Sequence, residues 1–195
     1  EGVIGDPNPK WKGGIGSNLS WKGLTFSFQF ETFQGNDIWA GTESILKYFG
    51  VHPETANEFL TENEMRTVDG RIVASGTLVR GNVADFGAGD VLLDSEWYTG
   101  VGGGFGTVSE QFIVDGSWTK LREVSLSYAL PQKIINTAKL GSASLSLSGR
   151  NLFIWSPLNY VDPEVNLTGS SKGRGLEYFT NPGTGSYIIT LKLGI

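Results

Sequence analysis

An all-β chain is predicted, made of antiparallel strands of a transmembrane β-barrel with long loops at one end, and three observations predict it. Apolar and polar residues alternate with period two through several stretches. The polar members are mostly hydroxyls and amides, not the Lys and Glu of a solvated sheet face. Short connections alternate with long ones. Composition agrees: the chain has 28 Gly, 12% aromatic and only 18% charged residues, the last well below the roughly one quarter usual in soluble domains. Mean hydropathy is −0.10. No apolar run of about eighteen residues is present, so a spanning helix is excluded and a spanning barrel is not.

The first strand pair surrounds Lys22-Gly23. Ile15, Ser17, Leu19 and Trp21 share one face, while Gly16, Asn18, Ser20 and Lys22 share the other. After the turn, Leu24, Phe26, Phe28 and Phe30 alternate with Thr25, Ser27, Gln29 and Glu31 up to Gln34. Lys22-Gly23 has the length and glycine of a tight hairpin. A third strand sets Val124, Leu126, Tyr128 and Leu130 against Glu123, Ser125, Ser127 and Ala129, and Pro131 stops it by removing a ladder donor. In the fourth, Ala143, Leu145 and Leu147 oppose Ser144, Ser146, Ser148 and Arg150, with Phe153 and Trp155 at its end. The fifth carries Tyr187, Ile189, Leu191, Leu193 and Ile195 on one side and Ser186, Ile188, Thr190, Lys192 and Gly194 on the other.

The connections are minimal at Lys22-Gly23, moderate over 131–142, and long over 35–117 and 156–185. In a barrel the long ones are extracellular and the short ones periplasmic, which puts the C-terminus in the periplasm. Within 35–117, Thr42 is expected to cap a short helix carrying Ile45, Leu46 and Phe49 and ending at Gly50. Thr55 and Glu58 have capping-box spacing for another, and 100–106 reads as a flexible glycine loop. Trp11, Trp21, Trp118, Tyr128, Trp155 and Tyr187 fall near strand ends, where interfacial girdles lie. If Leu130 sits opposite Ala143, antiparallel counting puts Glu123 opposite Arg150 on the polar face, an expected lumenal ion pair.

Other functions find little support. The net charge is −5 with no basic stripe, so no nucleic-acid partner is expected. There is no Cys and a single histidine, His52; no metal centre, cofactor or catalytic triad is expected, and the chain is not expected to be an enzyme. Asp90, Asp94 and Glu96 lack the spacing and central Gly of a calcium loop, so a solvated acidic loop is favoured over Ca²⁺ binding. Gly102-Gly103-Gly104-Phe105 lacks the Gly-Lys-Ser/Thr ending of a phosphate cradle. Trp39, Trp97, Tyr98 and Tyr160 are candidate contacts for a ligand or partner, packing within the loops being the commoner role of such rings.

The residues also carry a family resemblance. Gly5-Asp6-Pro7-Asn8-Pro9, Gln34-Gly35-Asn36-Asp37-Ile38-Trp39, Asp115-Gly116-Ser117-Trp118-Thr119-Lys120-Leu121-Arg122, Leu126-Ser127-Tyr128-Ala129-Leu130-Pro131, Gly149-Arg150-Asn151-Leu152 and Asp162-Pro163-Glu164-Val165-Asn166 resemble, in order, landmarks of the SusC/RagA family of TonB-dependent outer-membrane transporters. The resemblance implies that residues 1–195 are the C-terminal strands, about five of roughly 22, of a large plugged antiparallel β-barrel whose plug domain lies elsewhere. It further implies import of an oligomeric nutrient, glycan or peptide, in the outer membrane of a Gram-negative bacterium. TonB, acting through the plug, a SusD-like surface lipoprotein and outer-membrane lipid would be the partners. One departure is the final residue, Ile195, where such barrels usually end on an aromatic. The alternative from the residues alone is a soluble all-β carbohydrate-binding module; an isolated hydrolase is a remote third.

Overall fold

Period-two stretches this long become strands only if both faces find a suitable environment. In the computed structural model, which describes residues 2–105, 109–158, 161–169 and 174–195, they do so as one sheet. β1 (Trp11–Trp21) and β2 (Leu24–Gln34) lead the chain. Short strands follow: β3 (Asp37–Ala40), β4 (Glu58–Leu60), β5 (Met65–Thr67), β6 (Ile72–Val73), β7 (Leu78–Arg80), β8 (Asn82–Asp85), β9 (Asp90–Leu93) and β10 (Ile113–Asp115). Then come β11 (Trp118–Ala129), β12 (Ser142–Trp155), the two-residue β13 (Leu176–Glu177) and β14 (Ser186–Gly194). The helices are α1 (Gly41–Tyr48), α2 (Ser95–Thr99) and α3 (Gln132–Thr137). Two compact units result, the second made of Pro7–Asp37, Asp115–Val165 and Asn181–Ile195.

That second unit is an open antiparallel sheet in the order β1-β2-β11-β12-β14. Lys22 (φ 47) and Gly23 (φ 86) are both left-handed, the conformation of a two-residue turn whose twist matches its strands. Register then sorts the side chains. Leu19, Phe26, Leu126, Leu147 and Ile189 form one cross-strand row, and Trp21, Leu24, Tyr128, Leu145 and Leu191 the next. On the opposite face run Ser20, Thr25, Ser127, Ser146 and Thr190. Hydroxyl pairs Ser20–Thr25 (3.0 Å), Ser27–Ser125 (2.7 Å) and Ser127–Ser146 (2.8 Å) tie that face together.

The alternation is broken once in β11. Arg122 has no partner opposite it on β2, so pairing jumps from Leu121↔Phe30 to Glu123↔Gln29. β12 bulges at the same level, with Asn151 left-handed at φ 50. A one-residue slip moves every following side chain to the other face. Leu121 therefore joins Phe30 on the apolar face, and Lys120 and Trp118 turn to the face of Glu31 and Phe33. Trp118, expected in an outward girdle, is instead 3% exposed and stacked on Phe33 at 4.7 Å.

The first unit comprises Glu1–Asp6, Ile38–Val114 and Asn166–Thr180, so most of the long connection is a folded body. Its four-stranded sheet runs β6-β5-β9-β8, and Met65, Val73 and Leu92 form a small core on which Phe59 and Val79 pack. α1 forms as expected, with Gly50 left-handed just past its end (φ 66). Its cap differs: Ala40 is the N-cap, and Thr42 lies inside the first turn. The buried Glu177 carboxylate takes over, accepting from the Thr42 backbone N–H at 3.1 Å and the Thr42 hydroxyl at 2.6 Å, a favourable place for a negative charge. The helix expected from Thr55 and Glu58 is only a 3-10 turn over Pro53–Ala56, because Glu58 enters β4 and pairs with Arg80. Nor is the glycine stretch an open loop over its described residues. A Cβ on Gly102 would lie 1.9 Å from Trp97 Nε1, and one on Gly103 2.2 Å from the Tyr98 carbonyl, so these glycines allow close packing; Gly106 falls outside the described residues.

Candidate functional site

The polar face of the sheet carries a graded set of charges. Near its middle, Arg150 Nε donates to Glu123 Oε2 at 3.1 Å, the two residues directly opposite one another in the ladder. Both are well exposed, so the pair contributes about 0–1 kcal/mol and acts mainly on register.

Towards the end where the long connections leave, the bulge at Arg122 assembles a cluster that residue-by-residue reading does not find. Lys120 Nζ donates to Asp162 at 2.9 and 3.1 Å and to Glu164 at 2.6 Å. Arg122 donates to Glu31 at 2.6 Å and forks onto both oxygens of Glu164. Both cations lie over the Trp118 ring, at 5.5 and 5.1 Å. Pro163 lies between the two loop carboxylates, and Asp162 also accepts from the Glu164 N–H (3.1 Å) and the Gly183 N–H (3.0 Å). Burial raises the Glu164 pKa, but the hydrogen bonds from Arg122 and Lys120 outweigh it and bring it down to about 2. Lys120 is 5% exposed; a charge so buried is tolerable only because it is saturated with partners. The cluster explains why Trp-x-Lys-x-Arg and Asp-Pro-Glu occur together: one binds the other.

The 35–117 connection leaves the sheet through a closed neck. The Gly35 N–H donates to Ser117 Oγ at 2.9 Å, the Gly116 N–H to the Asn36 carbonyl at 2.8 Å, and Asn36 Nδ2 to the Gly116 carbonyl at 3.2 Å. Beyond it, Trp39 is half-buried and stacked on Tyr178 at 5.9 Å. Trp97 and Tyr98 are buried: Trp97 stacks on Phe86 at 5.0 Å, and the Tyr98 hydroxyl accepts from Asn82 at 2.9 Å. Tyr160 lies outside the described residues. The structure thus brings Glu123 and Arg150 together, and of the described aromatics it packs Trp39 on Tyr178 and Trp97 on Phe86.

Two acidic groupings belong to the first unit. Asp94 caps α2 through the N–H groups of Glu96 and Trp97, and Arg71 lies 3.4 Å from Asp94 and 3.7 Å from Glu96. Asp90 sits apart, opposite Asp85 in the β8–β9 pair. A constellation the spacing did not reveal is Glu43, His52 and Glu54, whose ligand atoms lie within 4.8 Å of one another. Lys47 Nζ already occupies the cation position, at 2.7 Å from Glu43 and 2.9 Å from Glu54. His52 is buried, its Nδ1 accepting from the Glu54 N–H. Burial, reinforced by Lys47, holds its pKa below the ordinary value against the pull of Glu54 and Glu43.

An open sheet with an exposed apolar face and a hydroxyl-rich polar face, with a folded insertion in the chain between β2 and β11, defines the class: a stretch of the wall of a large membrane β-barrel. No family model matches the chain. Among curated proteins it is 27% identical over 177 residues to TonB-dependent receptor P26 of Formosa agariphila, covering 88% of this chain and 15% of that protein. TonB-dependent receptor P3 of the same organism is 23% identical over 196 residues, covering 98% and 17%. Among solved structures, the RagAB peptide transporter superposes with a TM-score of 0.60 at 18% identity over 96% of this chain. The RagAB peptide importer in its closed-closed state gives 0.55 at 18% over 98%; at such identity the likeness is one of fold. The chain is thus similar in sequence to TonB-dependent receptors and shares the fold of a barrel segment of the RagAB transporter, and it spans about one sixth of the length of the proteins it matches.

Two outcomes are expected of these sites. Lys120→Met leaves Asp162 and Glu164 without their shared ammonium and should lower stability by about 3 kcal/mol, seen as a lower urea midpoint for the heat-modifiable form of the receptor. Adding Asp162→Asn should recover part of the loss; no recovery would contradict the pairing. For His52, the folded pKa lies below the unfolded 6.5, so between the two values the unfolded state binds more protons and stability rises with pH. Protease resistance of the inserted unit should therefore fall as pH drops from 7 towards 5, and His52→Asn, which keeps an acceptor for the Glu54 N–H, should flatten that dependence.

Proposed function

We propose that this chain forms part of the wall of an outer-membrane importer that takes up an oligomeric nutrient, glycan or peptide, energised through TonB and working with a SusD-like surface lipoprotein. The observation that carries the proposal is the exposed apolar face. Tyr187, Ile189 and Leu191 are 78, 76 and 60% exposed, and the rows through Leu19 and Trp21 continue that face across the whole sheet. In a soluble sandwich such a face would be covered by a second sheet; here hydrocarbon suits it. β1 is 11 residues long, about 35 Å extended and about 25 Å tall when tilted by roughly 45°, the height of a barrel's apolar band. Trp21 and Tyr128 mark one border; Trp11, Phe153 and Trp155 mark the other.

The hydroxyl face and the Glu123–Arg150 pair then line the lumen. The edges of β1 and β14 are paired by the rest of the barrel, since unpaired backbone costs several kcal/mol per group in lipid. The Lys22-Gly23 turn and the C-terminus lie on the periplasmic side. Residues 35–117 and 156–185 lie outside, where they meet the lipoprotein or the cargo, with no catalysis involved. Support for import comes from the relatives, which are TonB-dependent receptors, and from the RagAB neighbours, which are structures of a peptide importer.

Leu191→Arg should cost about 2–4 kcal/mol of barrel stability, and arginine at the neighbouring Thr190 far less, measured by the folded fraction in lipid vesicles. Equal costs would remove the lipid-facing assignment. Protease added to intact cells should cut within 35–117 or be held off by a bound partner; cleavage seen only after the periplasm is opened would reverse the topology.

A further inference from the structure

The inserted unit holds a cleft of about 500 Å³, lined by the end of α1, the 3-10 turn, the end of β7 and α2. Most of its polar groups are already committed. The Thr55 hydroxyl donates to the His52 carbonyl and the Thr99 hydroxyl to the Ser95 carbonyl, both at 2.7 Å. Asp94 spends one oxygen on the α2 cap and the other on Arg71. Lys47 is held by its two carboxylates. Arg80 is different. Its Nε donates to the Thr55 carbonyl at 2.9 Å, which fixes the guanidinium plane, while among the described residues its two terminal nitrogens make no hydrogen bond or ion pair. On the same cleft Tyr48 and Phe49 form an edge-to-face pair at 5.1 Å, and Phe49 is 65% exposed.

A sugar site needs several free acceptors for ring hydroxyls, and here the lining side-chain oxygens with no hydrogen bond among the described residues are the Tyr48 and Ser95 hydroxyls alone, while both Asp94 oxygens are engaged. What it offers as well is one oriented, exposed guanidinium fork with no protein partner among the described residues, on a cleft that also has an aromatic wall, the recognition set for a carboxylate adjoining an apolar side chain. We propose that the cleft is a subsite for the C-terminal end of an oligopeptide, Arg80 taking the terminal carboxylate and the Tyr48–Phe49 pair packing the last side chain. This rests on the importer reading only in making the peptide cargo; binding itself requires no transport.

The test is titration calorimetry on the detergent-purified receptor containing this chain, with three probes: acetyl-Gly-Gly-Phe as the free acid, its C-terminal amide, and trigalacturonate. The free acid should bind at least tenfold more tightly than the amide. Arg80→Gln should abolish that preference and Arg80→Lys retain part of it. Phe49→Ala, a change at an exposed ring that leaves folding intact, should weaken acid and amide alike. Equal binding of acid and amide to the parent, a preference that survives Arg80→Gln, tighter binding of trigalacturonate than of the peptide acid, or no effect of Phe49→Ala would each overturn the proposal. Import is not measured, so a receptor that imports a neutral glycan and ignores these peptides removes this subsite and leaves the importer standing.

Discussion

The ladder of backbone hydrogen bonds joining β1, β2, β11, β12 and β14 is the constraint on which the rest depends. An apolar face as exposed as that of β14 suits hydrocarbon, and hydrocarbon tolerates a backbone only if each N–H and C=O is paired. Antiparallel strands of the lengths found here meet both demands at once. Their outward side chains need no packing partner from the protein. Their inward side chains need to satisfy one another, which the hydroxyl pairs across β1–β2, β2–β11 and β11–β12 do with little charge to bury. Serine and threonine suit that face because a rotating hydroxyl donates or accepts as its neighbour requires.

The bulge at Arg122 makes one end of this uniform wall different from the rest. By inverting the alternation it sends Lys120 and Trp118 to the polar face, where the loop carboxylates Asp162 and Glu164 reach them. Burying an ammonium is costly, and the arrangement is stable only as a whole: Trp118 supplies a ring face, Glu31 holds Arg122, and Arg122 and Lys120 share Glu164. A loop that would otherwise cost conformational entropy to order is thereby fastened to the wall.

The insertion between β2 and β11 obeys a different rule. Its neck closes one or two residues beyond the sheet, so the entropy of a long loop is met by hydrogen bonds at its base and by a small core of its own around Met65, Val73 and Leu92. Polar contacts hold other parts of the unit. Lys47 neutralises Glu43 and Glu54, Glu177 caps α1 from a distant strand, and glycines let Trp97 and Tyr98 pack closely. The consequence is a body whose rings are mostly spent on its own packing, leaving the Arg80 cleft as a place with an unspent charge.

The sequence alone determined the five long strands, their faces and the tight turn at Lys22-Gly23, because period two over ten residues is a local property that one environment on each side preserves. It also determined the Glu123–Arg150 juxtaposition, which follows by counting once Leu130 meets Ala143. Counting failed at Trp118, where a single extra residue in β11 changed the parity, and nothing in the identity of Arg122 announces a bulge. It failed again in the insertion: strands of two to four residues carry too few alternations to be seen, the Thr42 cap was displaced by a carboxylate 135 residues away, and the Thr55–Glu58 helix lost to strand pairing with Arg80. The Lys120 cluster, the reach of Glu54 to the helical Glu43–Lys47 pair and the cleft were decided only by tertiary structure, since each brings together residues from separate elements, and charge, burial and reach in space select them.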